Sequence, residues 1–473
     1  MSAYAPPPHS IPTLEVPDLA GIRRVHMIGI GGAGMRNLAR LFLAREVEVS
    51  GSDLKDSNGI HELRGLGATV AVGHAVGNLG DPDAVVVSSA IQESNAELAE
   101  ARRREIPVWA RAQALAAAAS GRRQIAVSGT HGKTTTTAMI AHVLERAGLD
   151  PTYVIGGDTN ESGSGAHAGT GDLFVTEGDE SDGSFLLGRP AIGVVTNVEV
   201  DHVDFYPDGL QEIARAFTAF AERCDRVVVC ADDPVAVRSV SASGSSYVTY
   251  GSASDADLRI EIVSLAPGLG RAVLFEDETR HELSLPVDGA HNLSNAAAAV
   301  AVARDVGVTV EAAVGALASF DGVHRRFERR GAVRGAVFFD DYGHVPTELS
   351  VTVEVARRRE PARLVAVFQP HRYSRTQALW RELGASLIGA DVIVVTDIYG
   401  AEQDPIPGVT GKLVVEGIAR AGGYGRVVYL PHRHDVVEFL AREVREGDLV
   451  VTMGCGDVWM LGDAALQRLR EAS

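Results

Sequence analysis

Of the 44 basic residues in this 473-residue chain only Lys55, Lys133 and Lys412 are lysines, and Lys133 stands inside the glycine-containing string SGTHGKTTTT. Arginine cannot freely replace a compact ammonium, so a lysine that persists there gains weight as a functional group. The string lies between a predicted strand, QIAVS, and a predicted helix, where successive backbone N–H groups and the helix N-terminus face an anion. In that geometry Gly129 and Gly132 let the backbone approach phosphate, Lys133 reaches the β- and γ-phosphates, and Thr134 offers a hydroxyl to Mg²⁺. With Thr130, His131 and Thr135 these residues form an expected ATP loop. The residue six positions before Lys133 is Val127 rather than glycine, so the general phosphate-loop pattern is not met. The plain alternative is a glycine-capped helix start with a solvated lysine.

A second glycine turn precedes it. Gly29, Gly31 and Gly34 follow the predicted strand VHMI, and Asp53 lies about 20 residues on, the spacing of a dinucleotide site with a ribose-binding acid. Alone this predicts NAD and an oxidoreductase. A chain with a separate ATP loop needs no nicotinamide, however, and the same backbone accepts any pyrophosphate, or the glycines serve only a tight turn.

Acids and a histidine follow two further strands. DLFVTE runs into GDESDGSF and places Glu177 at the carboxyl end of a sheet, where ligands of open α/β folds gather; AIGVVTNVEVDH does the same for His202. Carboxylate oxygen suits Mg²⁺, imidazole less so. Glu177, Glu180, Asp182 and Asp201 are each also readable as loop-capping or solvated acids.

The elements that must position these residues alternate strand and helix with a parallel-sheet rhythm, restarting near residues 121 and 329. We expect three α/β domains: a Rossmann-like domain over residues 1–120, a phosphate-loop-type ATPase domain over 121–328, and a second Rossmann-like domain over 329–473. About 150 residues per domain agrees with that number. Residues from about Tyr247 to Val287 alternate apolar and polar and predict a small antiparallel portion within the central domain. A net charge of −18 argues against nucleic-acid or anionic-membrane partners. Cys224, Cys230 and Cys455 fit no zinc spacing and read as free thiols of a cytoplasmic protein. The N-terminus carries no secretory pattern, and no run approaches about 18 uninterrupted apolar residues.

Taken in order, GIGGAGM, SGTHGKTTTT, EGDESDGSF, TNVEVDH, GAHNLSN, GVHRRFE, DDYGHVPTE and QPHRYSR resemble the Mur ligase family over nearly the whole chain. The resemblance implies successive domains for a UDP-sugar, ATP and an amino acid, and turns the first glycine motif toward UDP. It places Gly29, Gly31, Gly32, Gly34, Met35, Asp53, Ser88 and Ser89 at the UDP-sugar. Thr134, Glu177 and His202 would hold Mg²⁺; His291, Asn292 and Asn295 would lie near the adenine; Arg326 would meet the phosphates and Asp341 the ribose. Tyr342, His344, His371 and Arg372 would form the amino-acid pocket, with His202 and His344 as candidate bases; a polar domain interface is the other reading of that group.

Two departures stand out. Val345 follows His344 where the family has a second histidine, and Cys455 in MGCGD replaces a more usual alanine. No lysine lies between Lys133 and Lys412, so the carbamoylated lysine of sister enzymes is excluded there, which fits the alanine-adding branch. The implied partners are UDP-N-acetylmuramate and L-alanine, joined through an acyl phosphate in peptidoglycan precursor synthesis by a monomer or homodimer. Because water would destroy that intermediate, closure of the third domain over the second is expected before chemistry. A recycling ligase adding a tripeptide is the nearest alternative.

Overall fold

The computed structural model describes residues 15–88, 90–161, 163–201, 205–401, 403–423 and 425–472. Ser89 and His202, both expected at sites, lie outside them.

The first sheet has five parallel strands in the spatial order Thr69–Val72, Glu48–Asp53, Arg24–Ile28, Ala84–Val87, Val108–Ala110. Helix Ala33–Ala44 covers it because Met35, Leu38 and Phe42 recur at helical spacing and bury against Val25, Met27 and Val49. Each such large side chain contributes roughly 1.5–3 kcal/mol. The helix thereby fixes the glycine turn at its own N-terminus.

Ten strands form the second sheet. At its centre Arg123–Ser128 lies between Ile192–Val195 and Leu173–Glu177, all parallel. Their carboxyl ends therefore open on the same edge, which brings together the loops after Ser128, Glu177 and Val195. The antiparallel portion is smaller than expected. Ser246–Gly251 runs parallel to Arg226–Cys230 and simply extends the main sheet. Only from Leu258 do consecutive neighbours, Leu258–Ala266, Leu269–Glu276 and Thr279–Leu285, follow one another through two-residue turns, the connection of antiparallel strands. Apolar–polar alternation marks any strand with one wet face, so it could not separate the two cases.

The third sheet orders Glu328–Val333, Ala336–Asp341, Asp448–Met453, Arg363–Phe368, Val392–Val395 and Arg426–Tyr429, parallel except for the first pair. Strand Arg363–Phe368 sends Val365 and Val367 to one buried layer and Leu364, Ala366 and Phe368 to the other, so helices must cover both faces.

By compactness the chain forms two units, one of residues 1–263, 271–285 and 291–321, the other of 264–270, 286–290 and 322–473. The first two sheets share a unit because helix Ala33–Ala44 reaches into the segment before the acidic loops. Arg36 and Arg40 both meet Asp158 at 3.0 Å, and Asn37 donates to the Ile155 carbonyl at 2.8 Å.

Candidate active site

The loop after Ser128 is held open by backbone geometry and pinned from one side. Gly129 and Gly132 have φ of +141° and +80°, and a Cβ on Gly132 would come within 2.7 Å of Asn295 Oδ1. The Thr130 N–H donates to Asn197 O at 3.1 Å and the His131 N–H to Asn197 Oδ1 at 2.8 Å, while the Thr196 hydroxyl donates to His131 O at 2.6 Å. Helix Lys133–Arg146 starts directly behind, so the amides of its first turn point toward the loop. A curved cradle of N–H groups results, closed on its far side by Asn295, which donates to Asn292 Oδ1 at 3.2 Å. Asn197 and Thr196 were not singled out from the sequence; their position directly after a parallel strand was the available signal.

Lys133 Nζ folds back into this cradle, donating to Gly129 O at 2.6 Å and to Glu180 Oε1 at 2.8 Å. Burial disfavours its charge, but Glu180, Asp179 and Glu177 outweigh that and raise its pKa, so it remains an ammonium. Burial, opposed by Lys133 and reinforced by Asp179, pushes Glu180 up to about 7. Glu180 is thus neither a solvated acid nor a cap; its side chain is 3% exposed. Glu177 ends its strand beside it and accepts from the Gly156 N–H at 2.6 Å. Asp182 accepts from the Ser184 N–H at 2.9 Å, and burial raises its pKa. Thr134 Oγ1 and the Glu177 carboxylate are hard oxygen donors, so the residues present fit Mg²⁺.

Since Glu180 titrates near neutrality, it sets how firmly Lys133 is held. As pH falls through about 7 the carboxylate gains a proton and releases the ammonium to a phosphate. The ratio of nucleotide Kd in the native chain to that in Glu180→Gln should grow from near one at pH 6 to about ten at pH 8, a difference of about 1.4 kcal/mol. The ratio cancels the nucleotide's own titration, and a flat ratio by calorimetry removes Glu180 from this role.

At the first glycine turn Asp53 is turned inward. Its two oxygens accept from the Gly31 N–H at 2.9 Å and the Lys55 N–H at 3.1 Å, so it braces the turn. Met35 is a core side chain, and Ser88 donates its N–H to Ile28 O at 3.1 Å at the end of the neighbouring strand. Arg111 was missed by sequence reasoning. Its guanidinium lies against Gly34 and 3.9 Å from Asp179 Oδ2, which puts a cation beside this turn.

In the second unit Arg325 and Asp341 organise the expected amino-acid pocket. Arg325 donates to Asp340 Oδ2 at 2.9 Å, Gly454 O at 2.6 Å and Gly456 O at 3.1 Å. Asp341 accepts from the Phe327 and Gly343 N–H groups, both at 2.8 Å, and from the Thr352 hydroxyl at 2.9 Å. The Arg325 and Arg326 guanidinium groups each lie about 5 Å from the Tyr342 ring centre. Beyond it the His344 and His371 rings meet edge to face with centroids 5.5 Å apart. Arg372 is exposed, whereas Arg375 is buried and donates to His371 Nδ1 at 3.0 Å. The guanidinium that meets His371 is therefore Arg375, one helical turn beyond it, a spacing that the sequence did display. Val345, in place of a second histidine, is 5% exposed and packs as an apolar residue ahead of helix Pro346–Arg358. Burial pushes the Cys455 thiol up to about 12, so it is not a thiolate nucleophile.

Family models match in three stretches: the Mur ligase family catalytic domain over residues 24–123, the Mur ligase middle domain over 127–303, and the Mur ligase glutamate ligase domain over 325–456. The chain is 47% identical over 470 residues to the UDP-N-acetylmuramate--L-alanine ligase of Thermobifida fusca, covering 96% of this chain and 98% of that one. Its fold is similar to a crystal structure of the UDP-N-acetylmuramate-alanine ligase of Thermotoga maritima, with a TM-score of 0.82, 28% identity, and 95% and 100% of the two chains covered. It is also similar to a murein peptide ligase from Psychrobacter arcticus, with a TM-score of 0.74, 25% identity, and 95% and 99% covered.

Proposed function

The chain belongs to the Mur ligase family, and from that premise we propose which of its residues carry the ATP-dependent joining of L-alanine to UDP-N-acetylmuramate. The reaction belongs to peptidoglycan precursor synthesis. The observation that carries the assignment of residues is the cradle of amides around Lys133, with Glu177 and Glu180 at its rim.

The muramate carboxylate attacks the γ-phosphorus in line, the bond from that phosphorus to the bridging oxygen breaks so that ADP leaves, and charge grows on the phosphoryl oxygens. Lys133 leaves Glu180 for those oxygens, and the amides of Gly132 to Thr135 donate to the phosphates behind them. Thr130 and His131, already bound to Asn197, keep the loop from collapsing. Arg326 supplies a second cation. Thr134 and Glu177 would hold Mg²⁺, as would His202, which lies outside the described residues, and the ion would neutralise phosphate charge. His291, Asn292 and Asn295 face the nucleoside side, with Asp341 bracing the loop that bears Arg326. Replacing Glu177 by alanine should raise the Mg²⁺ concentration for half-maximal turnover by about ten-fold or more, equivalent to about 1.4 kcal/mol. An unchanged requirement removes Glu177 from the metal site.

The resulting acyl phosphate is attacked by the neutral amine of alanine, and phosphate leaves. Arg375 pairs with the alanine carboxylate, for which a guanidinium fork is suited, Tyr342, His344 and His371 line the pocket, and Arg372 stands exposed at its edge. His344 holds its Nδ1 near the Tyr342 carbonyl at 3.1 Å, which leaves Nε2 as a lone-pair base for the ammonium proton. The UDP pyrophosphate sits over Gly29, Gly31, Gly32 and Gly34, on the amides at the start of helix Ala33–Ala44, with Arg111 as its cation and Met35 contributing only its backbone.

None of the helices among the described residues is long and apolar enough to cross a membrane. A cytoplasmic enzyme supplied with ATP is the setting this reaction requires. Phosphate release should be seen with UDP-N-acetylmuramate and L-alanine and not with a tripeptide in place of the amino acid. Turnover with the tripeptide alone would transfer the chain to the recycling branch, and turnover with neither would sink the reading.

A further inference from the structure

In the second unit one ligand atom from each of His344, His371 and Cys455 lies within 4.8 Å of the other two, and all three side chains are partly accessible. They arrive from three different strand ends. His344 follows Ala336–Asp341, His371 follows Arg363–Phe368, and Cys455 follows Asp448–Met453; these strands are adjacent and parallel, so their C-terminal loops converge. Sequence spacing could not reveal this set, since the three residues are separated by 27 and 84 positions (371 − 344 and 455 − 371).

The geometry points to a site for a soft divalent cation of the Zn²⁺ type, bound by His344, His371 and Cys455. Two imidazoles and a thiolate suit such an ion and do not suit Mg²⁺. Metal bonds of roughly 2.0–2.3 Å bring tetrahedral ligand atoms to within about 4 Å of each other, so about 1 Å of side-chain rotation closes the set. His344 Nδ1 lies 3.1 Å from Tyr342 O, which can only accept, and 3.4 Å from Glu348 Oε2, so with the Nδ1 proton on that carbonyl the ring would meet a metal through Nε2. His371 Nδ1 accepts from Arg375 at 3.0 Å, so it too offers a lone pair to a cation, and a metal there replaces that N–H. The ion displaces the thiol proton of Cys455, and one proton per ion goes to solvent. Glu348 favours the added charge, while Arg325 and Arg375 oppose it. The fourth position stays open to water.

With the pocket assigned as above, the same ion would sit where the alanine ammonium belongs and inhibit ligation. That consequence rests on the proposed function; binding of the metal does not.

The test uses the full chain without substrates. Titration with Co²⁺ should produce a thiolate-to-cobalt charge-transfer band, and Zn²⁺ should abolish it by competition. Cys455→Ala should lose the band and bind Zn²⁺ at least ten-fold more weakly, with an unchanged thermal transition showing that it folds. In the presence of saturating Mg²⁺, Zn²⁺ should inhibit the native chain competitively against L-alanine, and Cys455→Ala should resist while still forming product. Absence of the band, or Zn²⁺ affinity equal in the two proteins, overturns the site. Metal binding through Cys455 without competition against alanine would uphold the site and count instead against the assignment of the amino-acid pocket.

Discussion

Lys133→Ala is expected to lower the rate of phosphate release by about 10²–10³-fold, the scale on which a preorganised transition-state donor is felt when removed from a dry site. The ammonium is positioned by Gly129 O and Glu180, in a cradle of amides that cannot move to replace it. Arginine should not rescue it, because a planar fork cannot occupy the space of a point charge between loop and carboxylate. Binding of UDP-N-acetylmuramate should survive, since the glycine turn beside Asp53 lies on a different sheet. Single-turnover phosphate release and calorimetry with the UDP-sugar together decide the matter. Loss of both at once would contradict separate sites, and retention of near-native turnover would remove Lys133 from the chemistry.

The second large effect is on stability. Arg325→Ala should destabilise the second unit by about 3–5 kcal/mol, because it strips the partner from Asp340, whose side chain is 1% exposed, leaving a buried carboxyl without its cation. Burial already raises the Asp340 pKa against the pull of Arg325, and without the guanidinium the group would be driven further toward its neutral form. The carbonyls of Gly454 and Gly456 also lose their donor, so the loop carrying Cys455 loosens. Trp380 and Trp459 belong to this unit and Trp109 to the other, so urea unfolding followed by tryptophan fluorescence reports chiefly on the affected part. A midpoint unchanged from the native chain would show that Asp340 is tolerated without its cation.

Much of this was legible along the chain. The alternation of buried strands and amphipathic helices predicts three sheets, and three sheets are present. The string around Lys133 predicts a phosphate loop between strand and helix, and Lys133 opens a helix after strand Arg123–Ser128. These are local matters: a glycine turn, a helix start and a strand period depend on residues within a few positions of one another. The antiparallel portion was misjudged at its start, since the strand at Ser246 has the same one-sided burial whether its neighbour runs parallel or antiparallel.

What remained hidden depends on loops converging from distant strands. Asp53 and Asp341 have the composition of ligand-binding acids, and each also accepts from backbone amides of the adjoining turn, a bracing contact that spacing alone did not show. Glu180, one acid among several in EGDESD, becomes the partner of Lys133 only because parallel strands place the two loops on one edge. Arg375 rather than Arg372 meets His371 because Arg372 takes a positive φ of 65° at the helix start and turns outward. The chain by itself therefore determined which chemistry its residues can perform, since type and near-neighbour spacing govern that. Only the tertiary structure decided which carboxylate holds which cation, because burial and distance between remote segments set the strength of every such pair.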